Sequence, residues 1–231
     1  MQKKSVTKIA VIPARGGSKR LPRKNILPLP GGVMIEFPIT AALRSGLFDH
    51  VVVSTEDDEI AKIAMKAGAE IIQRPTDLAR DNSTVAEVCL HALMQYPSDY
   101  LCCLYATASL LGSEILVDSY EKFMANPRAD VLMGVSTFNY PPAQALRNNN
   151  SGFLEYMWPE FKGVQSQNQP VLCVSNGTFV WSKTKEFEKN KTFYSSSLIP
   201  YYVDPKYVQD IDTMDDYLHL MERMRANENR N

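Results

Sequence analysis

Residues 8–25 read Lys8-Ile9-Ala10-Val11-Ile12-Pro13-Ala14-Arg15-Gly16-Gly17-Ser18-Lys19-Arg20-Leu21-Pro22-Arg23-Lys24-Asn25, and this stretch decides the fold. Lys8–Pro13 is a short apolar run of the kind that forms a buried strand. The loop after it holds two adjacent glycines and a set of long cations. Gly16 and Gly17 permit positive φ and leave backbone N–H groups open to an anion. Arg15 and Lys24 can bring two positive charges to the same phosphates. The stretch is neither G-x-G-x-x-G nor G-x-x-x-x-G-K-[ST], so it supports neither a dinucleotide site nor a P-loop.

Working outward, the same strand-then-helix logic repeats. The pattern predicts a helix over 34–45 stopped by Gly46, a strand over 51–53, and a helix carrying Ile60, Ile63, Ala64 and Ala67, with Thr55 as its cap and Gly68 as its stop. A strand over 69–73 follows. Thr84 and Glu87 have capping-box spacing and open a helix with Val85, Val88, Cys89 and Ala92 on one face. Strands are expected over 100–105 and 131–138, with a helix over 115–124 between them. Short connections between alternating strands and helices imply right-handed crossovers. The expected fold class is therefore α/β, a doubly wound, mostly parallel sheet with helices on both faces. In such sheets ligands bind beyond the carboxyl ends of the strands, which singles out the loops after Ile12, Val53, Gln73 and Leu104.

Residues 139–170 break the pattern with Pro141, Pro142, three consecutive asparagines, Trp158-Pro159 and four glutamines. They read as an inserted arm, a hairpin with little helix. The strand reading returns over 171–181, interrupted at Asn176-Gly177. A C-terminal helix is expected with Met214, Tyr217, Leu218 and Met221 on one face and a fraying end. The expected organisation is one domain, 1–231, carrying the arm.

The 231 residues sum to a net charge of −1, but the charge is unevenly placed. Residues 1–35 hold eight lysines and arginines and no acid. The cations of the glycine loop alternate with Gly, Ser and Pro, which suits a compact anion such as a triphosphate better than a nucleic acid. No apolar stretch is long enough to cross a membrane, and the N-terminal apolar run is too short for a signal-peptide core, so a cytoplasmic protein is expected. Cys89, Cys102, Cys103 and Cys173 have neither metal-ligand nor CxxC spacing. Nor do His50, His91 and His219 form a ligand set.

Late in the chain stands Asp210-Ile211-Asp212. In an extended segment the two carboxylates point the same way while Ile211 turns to the core. Two hard oxygen donors can hold Mg²⁺ that keeps several waters and substrate phosphates. Asp212 as a plain helix cap is the alternative.

The loop PARGGSKRLPRKN resembles the signature of the acylneuraminate cytidylyltransferases. The resemblance continues through Val53-Ser54-Thr55-Glu56-Asp57, Arg74-Pro75, Leu78-Ala79-Arg80-Asp81 and Asp210-Ile211-Asp212-Thr213. Tyr105-Ala106-Thr107-Ala108 and Gly152–Glu160 look most like the pseudaminic acid branch. The resemblance implies a Rossmann-like nucleotidyltransferase that transfers CMP from CTP to the anomeric hydroxyl of a sugar acid and releases pyrophosphate, as a homodimer built through the arm. By the same resemblance the nucleotide would meet Ala14, Arg15, Gly16, Gly17, Ser18, Lys24, Asn25, Arg74 and Ser83. The sugar would meet Tyr105, Gln144, Gln165, Gln167 and Asn176. Mg²⁺ would sit on Asp210 and Asp212, and Arg15, Lys24 and Asp212 would carry catalysis.

The chain departs from the pseudaminic branch at Gln144 and Gln165, where the family has arginine, and at Asn168, where it has an acid. A neutral amide replaces a charged fork there, which favours weaker or different recognition of a carboxylate. Glu56 and Ser109 stand where the family more often has Asp and Pro, and Asn176-Gly177 is closer to the neuraminic branch. An octulosonate as the acceptor, or a catalytically silent nucleotide-binding relative, are the alternatives.

Overall fold

The computed structural model describes residues 6–228. Fraying is expected over 225–231; residues 225–228 continue the last helix, and 229–231, like the extreme N-terminus, lie outside the described residues. Seven strands form the main sheet: β1 (Lys8–Pro13), β4 (His50–Thr55), β5 (Glu70–Gln73), β6 (Tyr100–Leu104), β7 (Val131–Thr137), β10 (Cys173–Lys183) and β11 (Leu198–Tyr202). Two small hairpins complete the strands, β2 (Pro28–Leu29) with β3 (Gly32–Val33) and β8 (Leu146–Asn148) with β9 (Leu154–Tyr156). The helices are α1 (Glu36–Ser45), α2 (Asp58–Lys66), α3 (Val85–Gln95), α4 (Ser113–Met124), α5 (Thr184–Asn190) and α6 (Met214–Glu228). The sheet order is β11-β7-β10-β6-β1-β4-β5, and β10 alone runs antiparallel to its neighbours. The fold is the doubly wound, mostly parallel α/β sheet.

The two-residue period of β1 explains the layers. Ala10 and Ile12 join one core with α1, α2 and α4, whereas Ile9 and Val11 join the other with α3 and α5. Trp181, fully buried on β10, stacks on Phe48 and donates its indole N–H to Ser119 Oγ at 2.9 Å. The interruption expected at Asn176-Gly177 is a bulge. The register with β7 shifts between Ser175 and Val180, with Gly177 at φ +64°.

Local chemistry differs from expectation in three places. Asp57, not Thr55, caps α2, its carboxylate accepting from the N–H groups of Glu59 and Ile60. Thr55 lies inside β4, where its hydroxyl accepts from the Asp57 N–H. The buried stripe of α6 runs through Leu220 with Tyr217, Met221 and Met224, while Met214 and Leu218 are exposed. Finally, α5 and β11 were not foreseen. The capping box of Thr84 and Glu87 is present as expected.

The shift on α6 has a packing cause. The helix lies not on the sheet but on a third cluster made by Leu21, Leu29, Met34 and Ile211. That cluster welds the C-terminal segment to the glycine loop and the β2–β3 hairpin. Tyr217 adds a hydrogen bond from its hydroxyl to the Pro28 carbonyl at 2.6 Å. The arm, by contrast, consists of the β8–β9 hairpin and single helical turns, with Phe153, Leu154 and Tyr140 exposed.

Candidate active site

The glycine loop leaves β1 over the carboxyl end of the sheet. Asn25, itself buried, closes it by donating from Nδ2 to the Arg15 carbonyl at 2.9 Å. Gly16 is dictated by a close approach, because a Cβ there would stand 2.5 Å from Asp57 Oδ2. Its N–H is not open to solvent anions as expected. It donates to Glu56 Oε1 at 2.8 Å, while Glu56 Oε2 is buried without a hydrogen-bond partner among the described residues. Gly17 has open space around it. Arg23 stands in the left-handed region at φ +58° and is held there by Asp57 and Glu59. The Arg23 hydrogen bond keeps the Asp57 carboxyl below the usual carboxylate range.

A cleft of about 300 Å³ opens beside this loop. Arg15, Ser18, Lys24, Asn25, Arg74, Ser83 and Tyr105 line it together with Asp81 and Thr107. Six of the nine residues assigned to the nucleotide therefore share one cavity, and Ala14, Gly16 and Gly17 form the turn behind it. Larger cavities exist between α1 and α4 and on the arm, but neither gathers this set of cations. Arg74 is buried, with its Nε donating to Ser54 Oγ at 3.2 Å and one terminal nitrogen donating to the Ser54 carbonyl at 2.5 Å. Burial pulls its pKa down, and the Glu56 carboxylate opposes that pull. Ser83 Oγ donates to the Asp77 carbonyl, and Thr84 caps α3. Tyr105, assigned to the sugar by resemblance, lies in this same cleft, and burial raises its hydroxyl pKa.

The late acids meet the loop. Lys24 Nζ donates to the Ile211 carbonyl at 2.5 Å and to Asp212 Oδ1 at 3.2 Å, and Arg20 reaches Asp212 Oδ2 at 2.7 Å. Ile211 is fully buried between an exposed Asp210 and a half-buried Asp212, the alternation expected of the triplet. Asp212 does not cap α6 with its side chain. Asp216 instead accepts from the N–H groups of Asp212 and Thr213. Among the described residues no cluster of three or more acids, histidines or cysteines could cage a metal. A magnesium ion shared with substrate phosphates needs only one or two protein carboxylates. The exposed Asp210, without an ion pair among the described residues, offers such an ion a free carboxylate, whereas both oxygens of Asp212 are shared with Lys24 and Arg20.

The residues assigned to the sugar are dispersed. Asn176 spans the β10 bulge, donating to Ser136 Oγ at 3.3 Å and accepting from Thr178 Oγ1 at 2.6 Å. It lines a cavity of about 420 Å³ whose single charged wall residue is Asp210. Gln144 bonds Ser166 and Gln167 bonds Gln165, all within the exposed arm, and none of the three glutamines lines either cavity. Sequence reasoning assigns no role to Asp81, Glu56 or Thr107, although all three stand inside quoted motifs.

Comparison with known proteins bears on the fold and the family. A family profile described as cytidylyltransferase matches residues 9–205. The chain is 36% identical over 216 residues to the pseudaminic acid cytidylyltransferase of Campylobacter jejuni, covering 90% of this chain and 92% of that one. It is 30% identical over 229 residues to the CMP-N,N'-diacetyllegionaminic acid synthase of Legionella pneumophila, covering 95% and 97%. The solved structure of a CMP:2-keto-3-deoxy-manno-octonic acid synthetase complexed with CTP aligns with a TM-score of 0.72 at 15% identity, covering 96% of this chain and 99% of that one, a likeness of fold. With a matching profile over most of its length and relatives aligned nearly end to end, the chain belongs to the cytidylyltransferase family.

Proposed function

We propose that the chain is a CMP-sugar synthetase that transfers CMP from CTP to the anomeric hydroxyl of a nonulosonic acid. The observation that carries this reading is the contact of Lys24 with Ile211 and Asp212, across 187 and 188 residues of sequence, at the edge of a cleft already holding Arg15 and Arg74. In the reaction the hydroxyl oxygen forms a bond to the α-phosphorus, the bond to the β-phosphate bridge breaks, and the hydroxyl proton is lost. Arg15 and Lys24 stabilise the charge that develops on the phosphoryl oxygens and on the departing pyrophosphate. Ser18, Asn25, Arg74 and Ser83 orient the nucleotide, with Ala14, Gly16 and Gly17 shaping the turn. Asp210 and Asp212 would hold Mg²⁺, which when bound draws charge from the phosphates and acidifies the attacking hydroxyl.

Tyr105 and Asn176 mark the two cavities between which the sugar acid would lie. Gln144, Gln165 and Gln167 would reach it from the arm, and a second copy of the chain covering the arm's exposed apolar residues would make a homodimer. The reading places the enzyme in the cytoplasm, where CTP is supplied. The neutral amides of Gln144 and Gln165 favour an acid gripped less through its carboxylate, and an octulosonate is the second reading. Pyrophosphate release from CTP, assayed over pseudaminic, legionaminic, neuraminic and octulosonic acids, is expected with a nine-carbon acid. Release with the octulosonate alone selects the second reading, and none with any acid overturns both.

A further inference from the structure

Each cation of the glycine loop already has a carboxylate. Arg23 has Asp57 and Glu59, Lys24 and Arg20 have Asp212, and Arg15 and Lys19 have Asp81. The three arrangements are not equivalent. Asp57 also caps α2, so its pair is part of the scaffold. Asp212 follows the buried Ile211 and is fixed by the third core cluster. Asp81 is fixed by neither. It sits on the turn between Ala79 and Ser83, outside any helix or strand, and is half exposed at the cleft wall. Its Oδ1 takes Arg15 at 2.9 Å and its Oδ2 takes Lys19. Those two cations, Lys19 foremost, hold its carboxyl below the ordinary range, so it stays an anion at neutral pH.

We propose that Asp81 is a displaceable internal anion, holding Arg15 and Lys19 at the cleft wall until the phosphate chain of the ligand expels it. The proposal rests on the nucleotide reading of the cleft. Its logic is competition. Asp81 and a phosphate chain are like charges that compete for Arg15 and Lys19, and an exposed pair is too weak to resist a polyphosphate that offers several charged oxygens at once. The turn bearing Asp81 is tethered locally, by the Ser83 N–H to the Arg80 carbonyl at 3.1 Å and by Ser83 Oγ to the Asp77 carbonyl at 2.9 Å. It can swing without breaking the sheet. A brace that merely prepares Arg15 for the ligand would behave oppositely, because losing it would weaken binding.

Asp81→Asn separates the two, with Glu70→Gln as a control, since Glu70 pairs with His50 at the opposite end of the sheet and touches no residue lining the cleft. Calorimetry with inorganic pyrophosphate is expected to show binding roughly three- to tenfold tighter in Asp81→Asn, the scale of one or two exposed ion pairs. Limited trypsin digestion without added ligand is expected to cut faster after Arg15 and Lys19 in Asp81→Asn, with Glu70→Gln matching the wild type in both measurements. Equal or weaker pyrophosphate binding overturns displacement. Unchanged cleavage overturns the holding role. Should the wild type bind neither pyrophosphate nor CTP, the nucleotide reading falls and displacement with it, while the digestion still judges whether Asp81 holds the loop.

Discussion

The glycine loop over 13–25 and the arm over 139–170 are both irregular, and they are held in opposite ways. The loop is short, charged and cross-tied. Carboxylates from Glu56, Asp57, Asp81 and Asp212 reach it from three other parts of the chain, and a private apolar cluster fixes its far end. The arm is longer, nearly neutral in its side-chain chemistry, and bonded mostly to itself. It exposes Tyr140, Leu146, Phe153 and Leu154. Exposed apolar area of this kind is a cost that a single chain leaves unrelieved. The difference teaches that the loop is preorganised by contacts within this chain, whereas the arm leaves apolar surface uncovered.

The largest test of that contrast is Lys24→Ala. If the loop is a preorganised charge site, turnover falls roughly 10²- to 10³-fold, as on removing one donor to a developing oxyanion. Circular dichroism and the melting temperature should stay close to wild type. Near-normal turnover breaks the loop's half of the comparison. The arm's half is probed by the double substitution Phe153→Asp with Leu154→Asp. Light scattering is expected to report a monomer where the wild type is a dimer, with the KM for sugar acid raised and CTP affinity kept. A wild type that is already monomeric, or a variant that still pairs, breaks it.

The smallest effect sharpens the scaffold. Asp57→Asn keeps a good helix cap but removes the charge that Arg23 grips. Because the folded carboxyl lies below its ordinary value of 3.8, its contribution is fully present above that value and disappears as pH falls through the folded pKa. Denaturant titrations should show the variant about 1 kcal/mol less stable at pH 7, with the two proteins converging in acid. A constant gap at all pH values counts against the pairing.

Much of this was legible in the sequence, for physical reasons. Buried strands announce themselves through apolar runs, and the glycine loop through residues no ordinary surface needs together. What escaped has causes as specific. The helix Thr184–Asn190 is short and mostly polar, so it offers little periodicity. The strand Leu198–Tyr202 contains Pro200, tolerable because the strand lies at the sheet edge, though edge position is not written in its residues. The face of the last helix was misjudged because it packs on a loop remote in sequence rather than on the sheet. Pairs such as Arg15 with Asp81 have no local signature. Gln165 and Gln167 stood out as a motif, yet they bond each other on the arm's surface.

The tie between Lys24 and Asp212 has a consequence for synthesis. At ordinary translation speeds, roughly 10–40 s separate the two residues as they leave the ribosome. For that interval a nascent chain carries the cations without their latest partner acid. The tie would thus be among the last long-range contacts of the loop to form.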